Sequence, residues 1–150
     1  MQFPDRIDTT SASEPLPATP SGSSGGQVGA SILLVDDEPA LRGLVERVLT
    51  RAGHSVRVAG NGKEARAQFD RMQPPTELLI CDLELPDVGG LELAREFKPK
   101  QPALAVLFIS GRGGEDPLRA KLEAEGQKLL GKPFTSQALL EQVRMVLARL

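Results

Sequence analysis

The chain of 150 residues has no tryptophan and no tyrosine, a single cysteine and a single histidine. One cysteine, Cys81, permits no intramolecular disulfide and fits a reducing, cytoplasmic setting. The lone histidine, His54, follows Gly53 in a predicted turn with no cysteine or second histidine near it. It therefore reads as surface structure rather than a metal ligand. No stretch approaches the roughly 20 apolar residues that a membrane span needs. The N-terminus lacks the basic start and apolar stretch of a signal peptide. A net charge of −2 argues against a nucleic-acid-binding surface. No internal repeat is present.

What is abundant at the N-terminus is Ser, Thr, Pro and Gly, ending in Ser21–Gly22–Ser23–Ser24–Gly25–Gly26. Such a composition buries too little apolar surface to offset its ordering entropy. Residues 1–30 are therefore expected to be a disordered tail, and residues 31–150 one folded domain.

From Ile32 onward short apolar runs alternate with amphipathic stretches. The predicted strands are Ile32–Val35, Ser55–Val58, Leu78–Cys81, Ala105–Ile109 and Lys128–Leu130. Leu41, Val45, Val48 and Ala52 share one face of a first helix, which Gly53 stops. Arg42, Arg47 and Arg51 form its expected solvated face, and Leu44 lies just off the apolar stripe. Ala65, Phe69 and Met72 mark a second helix, ended by Pro74–Pro75. Leu91, Ala94 and Phe97 mark a third. Asp116–Pro117 opens a fourth as N-cap and first helical residue. Thr135 or Ser136 caps a fifth, with Leu139, Leu140, Val143 and Leu147 inward. Five strands alternating with five helices predict an α/β, doubly wound parallel sheet.

In such sheets ligands bind at the C-terminal strand edge. The first strand delivers Asp36 and Asp37 there, and two adjacent acids repel unless a cation holds them. Asp82 follows the third strand, Ser110 the fourth, and Lys132 comes shortly after the fifth. Carboxylates, a hydroxyl and an ammonium converging on one edge suit phosphoryl transfer to a carboxylate.

Asp36–Asp37–Glu38–Pro39, Asp82–Leu83–Glu84–Leu85–Pro86 with Gly89–Gly90, Ile109–Ser110–Gly111 and Lys132–Pro133–Phe134 together resemble the receiver domain of bacterial two-component response regulators. The four motifs stand in the family's order, each at the end of the matching strand, across Ile32 to Leu150. The resemblance implies a flavodoxin-like sheet of strand order 2-1-3-4-5. It implies that Asp82 accepts a phosphoryl group from a phosphohistidine on a histidine kinase, including the hybrid type, or on a histidine phosphotransfer protein. Asp37, Asp36, Asp82 and the main-chain carbonyl of Glu84 would hold Mg²⁺, with Mn²⁺ able to substitute. Lys132 would pair with the phosphoryl oxygens, and Ser110 would hydrogen-bond the phosphorylated state. The Lys132–Pro133 peptide would be cis. The chemistry would be limited to self-phosphorylation and slow self-dephosphorylation, making the protein a timed signalling switch rather than an enzyme.

The family usually carries an aromatic residue three positions before the lysine; here it is Leu129, so the switch departs from the family's usual pattern. Glu84 and Arg112, each two residues past a site residue, are expected to flank the mouth and pair across it. Gly111, Gly113 and Gly114 leave the intervening loop free to move, or simply make a tight turn before Asp116. Leu44 is a candidate phosphodonor contact. His54 lies in a turn rather than on an exposed helix face, against a histidine phosphodonor role. Cys81 reads as a small core residue. A pseudo-receiver, binding a protein without phosphorylation, is the alternative. A haloacid-dehalogenase-type phosphatase would need a second Asp two residues after the nucleophile, and Asp82–Leu83–Glu84 lacks it. The sequence ends at Leu150, the expected end of the fifth helix, so output is expected through contact with a protein target or as a phosphoryl relay.

Overall fold

The structure, a computed structural model, describes residues 29–111 and 117–148. Five strands and five helices alternate: β1 Ser31–Val35, α1 Pro39–Arg51, β2 Ser55–Ala59, α2 Gly62–Arg71, β3 Leu78–Asp82, α3 Gly90–Phe97, β4 Ala105–Ser110, α4 Pro117–Ala124, β5 Lys128–Gly131 and α5 Ser136–Leu147. All pairings between these five strands are parallel and the sheet order is β2-β1-β3-β4-β5. The expected fold is what forms. Residues 1–28 of the predicted tail lie outside the described residues, as do Arg112, Gly113, Gly114 and the predicted cap Asp116.

The continuous apolar runs are explained by helices on both faces. Ile32, Leu34, Leu78, Ile80, Leu107, Ile109 and Leu130 pack with Val45 and Leu49 of α1 and Leu139, Val143 and Val146 of α5. Leu33, Val35, Leu79, Cys81, Phe108 and Leu129 face the other way, onto Ala65, Leu93, Phe97 and Leu122 of α2, α3 and α4. Alternate residues of one strand thus serve two cores, each fully buried aliphatic side chain contributing about 1.5–3 kcal/mol.

Four strands, β2 to β5, run one residue further toward the ligand edge than the apolar runs suggest. Asp82 pairs with Ile109 and Ser110 with Gly131 in register, so both polar residues end strands rather than follow them. Two details of α1 also differ. Ala52 is exposed and forms the C-cap, and Leu49 takes the buried place beside Val45. Arg42 is not part of the solvated face: its Nη1 donates to the Asp36 carbonyl at 2.9 Å. Gly53 ends the helix with φ +102°, the left-handed conformation that glycine adopts without steric cost. Thr135 caps α5, its side chain accepting the Ala138 N–H.

Candidate functional site

The strand order reverses between β1 and β3, where the chain leaves β1 for one side and returns on the other. Asp36 and Asp37 follow β1 at this point, and Asp82 ends the adjacent β3. The backbone fixes them there. The Asp36 N–H donates to the Ala59 carbonyl of β2 and the Leu83 N–H to the Ile109 carbonyl of β4.

Asp36 is 1% exposed and Asp82 3%. Each has one oxygen occupied by the amide two residues on: Asp36 Oδ1 accepts from Glu38 N and Asp82 Oδ1 from Glu84 N, both at 2.8 Å. Asp37 is exposed at the mouth. One oxygen from each of Asp36, Asp37 and Asp82 lies within 4.8 Å of the others.

Lys132 brings the cation. Its N–H donates to the Ser110 carbonyl at 2.8 Å, tying the β5–α5 loop to the end of β4, and the Lys132–Pro133 peptide is cis. Its Nζ donates to Asp82 Oδ2 and to Glu38 Oε1, each at 2.7 Å, and stands 3.6 Å from Asp36 Oδ2. Burial disfavours the ammonium, but the hydrogen bonds to Asp82 and Glu38 and the charge of Asp36 outweigh it. The pKa of Lys132 is therefore held above the ordinary lysine range. The Ser110 side chain is buried at the end of β4.

Asp36 Oδ2 is buried with no hydrogen-bond partner. Burial pushes the Asp36 carboxyl up, against the Glu38 amide and Lys132, and the charges of Asp82 and Glu38 push the same way. A buried, unpartnered carboxylate oxygen beside two further carboxylates is what a hard divalent cation satisfies, and the all-oxygen donor set fits Mg²⁺. Cys81, packed beneath, is a free thiol; burial and the charges of Asp82 and Asp36 raise its pKa, so it remains protonated.

The structure thus brings Asp36, Asp37, Asp82, Ser110 and Lys132 to one edge, with Glu84 exposed beside Asp82. The expected Arg112 pairing lies outside the described residues. Leu129 is buried in β5 facing the α2–α4 core. Leu44 is exposed on α1 and His54 is half-buried. Glu38, which reaches Lys132 across the mouth, was not singled out from the sequence. Its position directly after the acid pair, on the edge that also receives Lys132, is the signal that could have found it.

The response regulator receiver domain family matches residues 32–144. The transcriptional regulatory protein TrcR of Mycobacterium tuberculosis is 37% identical over 118 residues, covering 79% of this chain and 45% of that protein. The probable transcriptional regulatory protein TcrX of the same organism is 31% identical over 119 residues, covering 79% and 50%. The chain thus spans about half the length of these curated relatives. A response regulator receiver domain protein from Clostridium thermocellum superimposes with a TM-score of 0.70 at 28% identity, covering 80% of this chain and 95% of that one. With the match over most of its length and the sheet order that goes with it, this chain belongs to the response regulator receiver domain family.

Proposed function

We propose that the domain, residues 31–150, is a phosphoryl-accepting switch in which Asp82 is the acceptor. The donor is a phosphohistidine on a histidine kinase, including the hybrid type, or on a histidine phosphotransfer protein. An Asp82 oxygen forms the new bond to phosphorus, while the phosphorus–nitrogen bond breaks and its electron pair stays with the imidazole. The observation that carries this reading is the buried Asp82 carboxylate, held by Lys132 at 2.7 Å within a three-carboxylate cluster.

In this reading Asp36, Asp37, Asp82 and the Glu84 carbonyl hold Mg²⁺, for which Mn²⁺ can substitute. The bound cation supplies positive charge that offsets repulsion between the carboxylates and the phosphoryl oxygens. Lys132 keeps its charge at neutral pH and donates to those oxygens. Ser110 turns to hydrogen-bond the phosphorylated state. The acyl phosphate is open to water, so slow self-dephosphorylation times the signal. Output runs through contact with a protein target in the cytoplasm. The names of TrcR and TcrX place transcriptional control in those longer proteins.

The test is incubation with Mg²⁺ and acetyl phosphate, read as a phosphate-retarded gel band. Wild type is expected to shift and Asp82→Asn not to. A wild-type protein that never shifts, even with a cognate kinase, would support the pseudo-receiver, in which Leu129 replaces the usual aromatic residue.

A further inference from the structure

We propose that Glu38 selects the phosphodonor, by competing with the incoming phosphoryl group for Lys132. The inference rests on the receiver reading above and concerns which donors that site admits.

Glu38 occupies the N-cap position of α1, yet its side chain makes no capping hydrogen bond. Its carboxylate instead reaches across the mouth to Lys132, 94 residues on, at 2.7 Å. The Glu38 side chain is 60% exposed and that of Asp82 only 5%, so the ammonium stands between an outer and an inner carboxylate. Lys132 has three N–H bonds to give. Two are committed at 2.7 Å, one to each of these acids.

A donor reaching Asp82 must bring its phosphoryl oxygens alongside this ammonium. Those oxygens compete with Glu38 for the same ammonium, and their negative charge comes up against the Glu38 carboxylate. The cost depends on the donor. An acyl phosphate is a dianion at neutral pH and meets the full repulsion. An N-phosphoryl donor with a protonated nitrogen carries one fewer net negative charge, and its cationic nitrogen, on the side away from Asp82, faces the mouth where Glu38 lies. Both donors transfer in the same balanced way: phosphorus bonds to an Asp82 oxygen, and its bond to the donor oxygen or nitrogen breaks with the electron pair leaving on the donor. Glu38 therefore favours N-phosphoryl donors over small acyl phosphates, shielding the switch from phosphorylation that bypasses a kinase.

The full chain with Mg²⁺ is given acetyl phosphate or phosphoramidate in parallel, as wild type and as Glu38→Gln, which keeps the shape and removes the charge. Exposed charge pairs are worth about 0.2–1 kcal/mol, so the acetyl phosphate rate relative to the phosphoramidate rate is expected to rise about 1.4- to 5-fold. In 1 M salt that gain should shrink. In metal-free protein the ¹⁵N signal of the Lys132 ammonium should shift on Glu38→Gln. An unchanged rate ratio, including one in which both rates change by the same factor, would overturn the proposal, as would an unmoved Lys132 signal. A wild-type chain phosphorylated by neither donor nor a kinase would overturn the receiver reading and this inference with it. Normal wild-type phosphorylation with an unchanged ratio would remove only this inference.

Discussion

Gly90, at the start of α3, runs so close beneath Asp82 that a Cβ on it would stand 2.2 Å from the Asp82 carbonyl oxygen. The Gly90 N–H donates to the Leu83 carbonyl at 3.1 Å, so helix and strand end are joined by backbone immediately after the proposed acceptor. No side chain can be accommodated there without moving one of them.

Gly90→Ala is therefore expected to destabilise the fold by about 1–3 kcal/mol, the usual range for overpacking. It should also slow phosphorylation, because α3 and the Asp82–Glu84 turn must separate. Gly43→Ala is the control. That glycine lies within α1, and an added Cβ would meet only the Arg47 side chain, at 3.8 Å. Alanine there should stabilise by up to about 1 kcal/mol. Urea midpoints of the two variants should move in opposite directions.

Asp36 carries the cost of the proposed cation site. Its carboxyl pKa is raised by burial, so the ionised form disfavours folding and stability falls as pH rises through its titration. Asp36→Asn should raise the melting temperature in EDTA by roughly 2–6 °C, equivalent to about 1 kcal/mol. In wild type, Mg²⁺ at a hundred times its Kd should stabilise the fold by about 2.7 kcal/mol. The variant should lose most of that gain. Melting curves with and without Mg²⁺ provide both readings.

At the opposite end of the sheet the Ala30 N–H donates to Nδ1 of His54 at 2.9 Å, pinning the entry to β1. A protonated imidazole cannot accept that bond. Burial lowers the His54 pKa, with the charge of Glu77 opposing. The folded state thus binds its proton less readily than the unfolded chain. His54's contribution is full above about pH 6.5 and is lost as pH falls from there through the folded-state value. Chemical denaturation between pH 7.5 and 5 should show this loss, of about 1 kcal/mol for one hydrogen bond. In His54→Leu that part of the pH dependence should be absent.

The fold was legible because its signals are local. Runs such as Leu78–Cys81 and helix stops such as Gly53 depend on neighbours in the chain, and the alternation of the two periods implies a parallel sheet. The candidate site was legible for the same reason: Asp36, Asp37, Asp82, Ser110 and Lys132 each stand at or just past a strand end, and a parallel sheet gathers those ends. The helix faces were less so. Periodicity offered Ala52 as an inward residue, but the helix ends there and Leu49 packs instead.

By itself the sequence determined the order of elements and which residue types reach the ligand edge, since both follow from hydrophobic period and strand direction. Only the tertiary structure decided who bonds to whom at that edge. Arg42 turns back to the Asp36 carbonyl and Asp36 Oδ2 remains without a hydrogen-bond partner. Lys132 divides its ammonium between Asp82 and Glu38. These outcomes depend on loop paths that bring together residues as much as 94 positions apart, and no local pattern encodes distances of a few ångströms between them.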